Sequence, residues 1–92
     1  PCSGLDIPSK EIFLQNVQKA LKIGSKIIYI THHVDEIVSD ITHVLFMKDG
    51  KIFDQGKKKE TLTAKTLSNT LGCSINLKEN SERYWIKGCK LL

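Results

Sequence analysis

The feature that most restricts the fold is the run Ile27-Ile28-Tyr29-Ile30, which is followed directly by Thr31-His32. Four consecutive apolar residues do not alternate between polar and apolar as a half-exposed strand would. Such a run is typical of a strand covered on both faces, as in the parallel sheet of an α/β protein. Ligands of open α/β sheets bind at the carboxyl ends of the strands, so His32 is a candidate site residue.

The segment before this run has the pattern of an amphipathic helix over about residues 8–22. Asp6 can cap this helix, Pro8 suits its first turn, and Gly24 is a stop signal. Apolar residues at helical spacing predict one buried stripe, with Leu14 outside it. The residues of the stripe are Ile12, Phe13, Val17, Ala20 and Leu21.

The segment after the run predicts a short helical turn over residues 34–39 and then a β-hairpin. The strands His43–Lys48 and Lys51–Gln55 are separated by Asp49-Gly50, a pair that type I′ turns favour. Two short helices, over 57–62 and 64–71, and a second hairpin pairing 74–78 with 82–87 follow. We therefore predict an α/β fold divided into a core part, 1–56, and a C-terminal extension, 57–92.

A strand that is apolar on both faces needs neighbouring strands and a helix layer on each side, which one helix cannot supply. The chain also opens Pro-Cys-Ser-Gly, with no initiator Met. We therefore expect a piece of a larger α/β domain, and a bare sheet edge that promotes self-association.

Composition restricts the function less than the patterns do. The chain has 92 residues, 40% of them hydrophobic and 26% charged, and its longest apolar run is far shorter than the ~20 residues of a membrane helix. Three cysteines match no disulfide or zinc spacing, so we expect reduced thiols. The net charge of +4 leaves open a small basic module that binds nucleic acid, the ribosome or an anionic lipid surface, and residues 57–92 could be a regulatory or interaction appendage. A solvated basic face is more common, and Lys57-Lys58-Lys59 is expected to be such a face at a helix start.

Two motifs together resemble the ATP-binding subunits of ABC transporters, over residues 1 to about 62. The turn Ser3-Gly4-Leu5-Asp6 is similar to the D-loop of that family, and Pro1 to the proline of its Asp-Glu-Pro motif. Cys2 stands where the family more often has Thr or Ser. His32 resembles the switch histidine, and Val44–Gln55 resembles the hairpin that closes the ATPase core.

This resemblance implies the C-terminal portion of a P-loop ABC ATPase domain, from the D-loop onward. His32 would donate a hydrogen bond toward the γ-phosphate of ATP, whereas a lone histidine at a strand end is otherwise more often structural. Ser3, Gly4, Leu5 and Asp6 would contact the phosphate loop of a second ATPase subunit in a head-to-tail dimer. The intact protein would hydrolyse ATP with Mg²⁺ to drive solute transport, peripheral on the cytoplasmic face of the cell membrane. Its partners would be permease subunits and the missing N-terminal part of its own domain, with no nucleic acid.

Several parts of the family's catalytic machinery are absent from the sequence. There is no phosphate loop, glutamine loop or Leu-Ser-Gly-Gly-Gln signature, and no Asp-Glu pair precedes Pro1. Because phosphoryl transfer depends on positioning and charge stabilisation, we expect the 92 residues alone to bind no cofactor and to be inactive. His33 and His43 are expected to take no direct part. A zinc site from His32, His33 and a distant cysteine lacks the required spacing, so no metal is predicted.

Overall fold

A computed structural model describes residues 1–91 and shows helices, a 3₁₀ turn and antiparallel strands in this range. The elements are α1 (Ile7–Lys22), the 3₁₀ turn (Val34–Glu36), β1 (His43–Lys48), β2 (Lys51–Lys57), α2 (Lys58–Thr61), α3 (Ala64–Leu71), β3 (Cys73–Asn80) and β4 (Arg83–Leu91). β1 pairs with β2, and β3 pairs with β4, in two separate two-stranded sheets. The mixture of helix and strand agrees with the predicted α/β class. Leu92, the last residue of the predicted extension, lies outside the described residues.

Helix α1 forms where the sequence predicts it, but its buried side matches the predicted stripe only in part, at Val17, Ala20 and Leu21. Leu14 is only 1% exposed and packs with Cys2 and Val38, and Val17, Leu21 and Ile41 border this cluster. Ile12 and Phe13, predicted to be buried, are exposed. The prediction was wrong because it assumed that α1 lies on a sheet, whereas in this chain the helix packs on the segments that precede and follow residues 27–32.

The buried strand predicted over Ile27–Ile30 does not form within the described residues. The segment belongs to no helix or strand, and Ile28 and Ile30 are 98% and 85% exposed. A strand needs partners for its backbone N–H and C=O groups, and the strands formed by residues 1–91 pair only within their own hairpins. The predicted element therefore has no sheet to join among these residues.

The hairpin β1–β2 confirms the prediction made from Asp49-Gly50. Both residues have positive φ, +53° and +74°, as a type I′ turn requires. The paired register runs from Lys48 opposite Lys51 to His43 opposite Lys57, with a bulge between Phe46 and Met47. β2 therefore extends past Gly56, and α2 begins directly at Lys58.

The tail of the chain folds as a helix and a second hairpin. Thr63 caps α3 by accepting a hydrogen bond from the Thr66 N–H, and Gly72 ends the helix with a φ of +73°. The hairpin β3–β4 is longer than predicted, and its turn lies at Ser81-Glu82, where both residues have positive φ. The main core cluster joins this tail to the 3₁₀ turn; its buried members are Val34, Leu62, Leu67, Cys73, Ile75 and Tyr84.

Candidate functional site

The turn formed by residues 2–6 is fixed to α1 at both of its ends. The Leu5 N–H donates to the Cys2 carbonyl at 3.1 Å, and Gly4 takes a φ of +83° at the third position of this β-turn. Cys2 is buried, whereas Ser3, Leu5 and Asp6 are exposed. The buried Cys2 thus anchors the turn, while the side chains of Ser3, Leu5 and Asp6 face solvent.

Asp6 is the N-cap of α1. Its Oδ1 accepts a hydrogen bond from the Ser9 N–H at 2.8 Å, and hydrogen bonding by Ser9 lowers the pKa of the Asp6 carboxyl. The side chain is therefore a carboxylate at neutral pH, placed at the helix end where the dipole favours negative charge.

Residues 31–36, named here the switch segment, bend sharply around the two histidines. The His33 N–H donates to Thr31 Oγ1 at 3.0 Å, and the Thr31 hydroxyl donates to Glu36 Oε1. A hydroxyl bonded two residues ahead in this way closes a local turn. The turn leaves the side chains of His32 and His33 exposed, directly after the apolar run.

Glu36 links the switch segment to the turn formed by residues 2–6. Its side chain is only 2% exposed, and its carbonyl accepts a hydrogen bond from the Tyr29 hydroxyl. Burial raises the pKa of both Cys2 and Tyr29, and the negative charge of Glu36 raises both further. Cys2 also packs with Val38, which follows the switch segment by two residues, so the start of the chain lies close to the segment that carries His32.

Two cations from other elements fix Asp35, which lies inside the switch segment. The Lys10 ammonium of α1 forms a hydrogen-bonded ion pair with the Asp35 carboxylate, and this bond raises the pKa of Lys10. Arg83 of β4 donates to the Asp35 carbonyl and, at 3.2 Å, to Glu11 Oε2. The switch segment is therefore held from α1 on one side and from the tail hairpin on the other.

Arg83 was not predicted as a residue near the site. It lies 48 residues from Asp35 in sequence, and its guanidinium carbon is 5.4 Å from the centroid of the Trp85 ring. The predicted second hairpin placed Arg83 on a strand beside two aromatic residues, Tyr84 and Trp85. That local signal gave no indication of which element the strand would contact.

Lys58 contradicts the prediction of a solvated lysine run. Its side chain is only 4% exposed, and its ammonium donates to the carbonyls of Ser39, at 2.7 Å, and of Val38 and Glu82. Burial lowers the pKa of Lys58. Lys57 and Lys59 are exposed, as predicted. Lys58 thus joins the chain after the switch segment to the turn of the tail hairpin.

The described residues carry neither a cluster of metal-ligating side chains nor a helix that could span a membrane. Among residues 1–91, no group of three or more His, Cys, Asp or Glu side chains is arranged to hold a metal ion. In the same range, no helix is both long and apolar enough to cross a bilayer. The candidate site therefore consists of an exposed histidine on a braced segment and an exposed turn that shares its supports.

The turn Ser3–Asp6, His32 and the hairpin β1–β2 carry the resemblance to ABC-type ATP-binding proteins that the sequence indicates. No family model matches the chain. A protein of Streptococcus mutans named as an ABC transporter ATP-binding protein is 35% identical over 88 residues, which are 92% of this chain and 34% of the relative.

Two further relatives carry the same description. The ABC transporter ATP-binding protein YmeB of Lactococcus lactis is 34% identical over 91% of this chain and 33% of its own length. YlmA of Bacillus subtilis is 32% identical over 90% of this chain and 32% of its own length. The chain thus belongs to the ABC transporter ATP-binding proteins, as the C-terminal portion of their ATPase domain, and spans about a third of the length of these relatives.

Proposed function

We propose that this chain is the C-terminal part of an ATP-hydrolysing ABC transporter subunit, in which His32 contacts the terminal phosphate of ATP. The observation that carries the proposal is the exposed imidazole at the start of a segment braced by Lys10, Glu36 and Arg83. Bracing matters because a hydrogen-bond donor stabilises developing charge best when it is already positioned. A neutral imidazole can supply that donor at the phosphate and help to orient the attacking water.

The turn residues Ser3, Gly4, Leu5 and Asp6 have a second proposed role, as the D-loop. Ser3, Leu5 and Asp6 face solvent, so they can reach across to a second ATPase subunit in a head-to-tail dimer. Because Cys2 packs with Val38, just after the switch segment, a shift of the turn would act on the segment that carries His32. The two motifs would therefore respond together when the dimer closes.

The remaining catalytic parts are proposed to come from outside these 92 residues. ATP supplies the transferred phosphoryl group, and His32 is the residue of this chain that we propose contacts it. The phosphate loop and the carboxylates that bind Mg²⁺ have no counterpart in this sequence. The chain alone is therefore expected to be inactive. The full subunit would dock on permease subunits at the cytoplasmic face of the membrane.

Replacement of His32 in the full-length subunit tests this assignment. We expect His32→Ala to lower the ATP turnover roughly 10²–10³-fold, the typical effect of removing a donor aimed at developing charge. The apparent affinity for ATP should change little, because the contact strengthens mainly in the transition state. The measurement is steady-state phosphate release against ATP concentration.

His33→Ala is the matched control, because His33 is the adjacent exposed histidine and uses its backbone N–H, not its ring, in the local turn. We expect it to retain most of the turnover. Unchanged turnover in His32→Ala, or equal losses in the two variants, would show that His32 does not have the proposed role.

A further inference from the structure

Two cysteine thiols lie in direct contact in the tail hairpin. The Cys89 thiol of β4 donates a hydrogen bond to Cys73 Sγ of β3, with the two sulfurs 3.1 Å apart. In the sheet register, Cys73 is opposite Leu91 and Cys89 is opposite Ile75, so the two cysteines are diagonal neighbours on one face. The sequence spacing gave no indication of this pair, because the contact depends on the pairing of two strands.

The two thiols differ in their access to solvent. Cys73 is buried in the core cluster that contains Leu67 and Ile75, whereas Cys89 is exposed. A small oxidant can therefore reach the Cys89 sulfur first, and the Cys73 sulfur is already within contact distance of it. Cys2 lies in the other core cluster, with Leu14 and Val38, and has no part in the pair.

We propose that Cys73 and Cys89 are an oxidisable pair that forms a reversible intramolecular disulfide when the chain meets a peroxide. The Cys89 thiolate attacks one oxygen of hydrogen peroxide and breaks the O–O bond, which gives a sulfenic acid and hydroxide. Cys73 then attacks the sulfenic sulfur and displaces its oxygen, which leaves as water with the thiol proton. The two thiols are oxidised by two electrons, and one peroxide becomes two waters.

We expect the disulfide to form only when an oxidant is present. In a reducing compartment the thiols persist until an oxidant appears, and exchange with a small dithiol returns the disulfide to two thiols. Its structural effect would fall on β3 and β4, because the bond closes a loop between residues 16 apart in sequence. β4 also carries Arg83, which contacts Asp35, so oxidation would stiffen the hairpin that braces the switch segment.

The test treats the fully reduced 92-residue chain, at low concentration, with equimolar hydrogen peroxide. Remaining thiols are then alkylated and the chain is digested with trypsin, which cuts after Lys65, Lys78, Lys87 and Lys90. We expect mass spectrometry to find peptide 66–78 joined to peptide 88–90, and dithiothreitol to separate them. The disulfide should form at least about tenfold faster in the folded chain than in urea, because the sheet holds the sulfurs together.

Three variants distinguish this pair from other thiol chemistry. Cys2→Ser should leave the rate and the cross-linked peptides unchanged. Cys89→Ser, at an exposed position, should abolish the intramolecular disulfide without disturbing the core, and Cys73→Ser, at a buried position, should abolish the disulfide as well. Disulfides to Cys2, purely intermolecular disulfides, over-oxidation without a cross-link, or equal rates in the presence and absence of urea would each overturn the proposal.

Discussion

Asp6 shows how one residue can serve both the local fold and the proposed site. Its carboxylate caps α1 and is the exposed end of the turn that we assign to the D-loop. Asn caps a helix about as well as Asp, whereas Ala cannot accept the hydrogen bond from Ser9. Variants at this position can therefore separate the structural role from the role of the charge.

We expect Asp6→Ala to lower the urea midpoint of unfolding at neutral pH, and Asp6→Asn to retain it. Hydrogen bonding by Ser9 lowers the folded pKa of Asp6, so its contribution is present above the unfolded pKa and is lost as the pH falls through the folded pKa. The difference between wild type and Asp6→Ala should therefore shrink in acid. Equal midpoints for wild type and Asp6→Ala at neutral pH would contradict the capping role.

The polar contacts around the switch segment show why single residues near a site are hard to predict. Thr31-His32 could be read from the sequence because both residues follow one apolar run. Arg83 and Lys58 could not, because their acceptors are backbone carbonyls distant in sequence, at Asp35 and at Ser39. A carbonyl acceptor carries no side-chain signature, so the sequence marks the donor as an ordinary surface cation.

At the scale of elements, Gly56 lies near the end of β2, just before α2, at a position that has no room for a side chain. Its φ is +155°, and a Cβ at this position would lie 2.7 Å from Thr61 Oγ1. Thr61 is buried, so its side chain has little room to move. We expect Gly56→Ala to lower the free energy of unfolding by about 1–3 kcal/mol, from backbone strain and overpacking together. Urea unfolding followed by circular dichroism measures this change.

Gly88→Ala provides the matched control on the other hairpin. The nearest atom to its added Cβ is 3.7 Å away, an ordinary contact, and its φ lies outside the left-handed region. We expect a change of no more than about 0.5 kcal/mol. If Gly56→Ala and Gly88→Ala lowered the free energy of unfolding equally, the close approach of Gly56 to Thr61 would not be the cause of the loss.

The elements that the sequence predicted correctly are those with signals inside the element itself. The Asp49-Gly50 turn, the cap at Asp6 and the stop at Gly72 are each decided by the backbone preferences of one or two residues. The strand predicted over residues 27–30 and the buried stripe of α1 depend on what lies against them. For both, the expected partner was a sheet that the described residues do not supply.

At the scale of the whole molecule, the described residues bury two small clusters and leave several large apolar side chains exposed. Ile28 and Ile30 lie outside both clusters, and Ile12 and Phe13 of α1 are exposed as well. Soluble monomers seldom expose large contiguous apolar patches, and an unpaired extended segment invites pairing with another chain.

We expect the isolated chain to self-associate through residues 27–30, with apparent mass rising with concentration in sedimentation velocity. Lysine at both Ile28 and Ile30 should shift the distribution toward monomer, because charge on exposed strands opposes pairing between chains. It should leave the urea midpoint nearly unchanged, since neither side chain is packed in the described residues.

Leu91→Lys is the comparison variant, because Leu91 is also highly exposed but lies on the paired strand β4. Its effect on association should be small if the chains associate through residues 27–30. A wild-type chain that stays monomeric at high concentration would contradict the prediction that residues 27–30 promote association. If Leu91→Lys reduced association as much as the double lysine variant at Ile28 and Ile30, the association would be a general hydrophobic effect. It would then not depend specifically on residues 27–30.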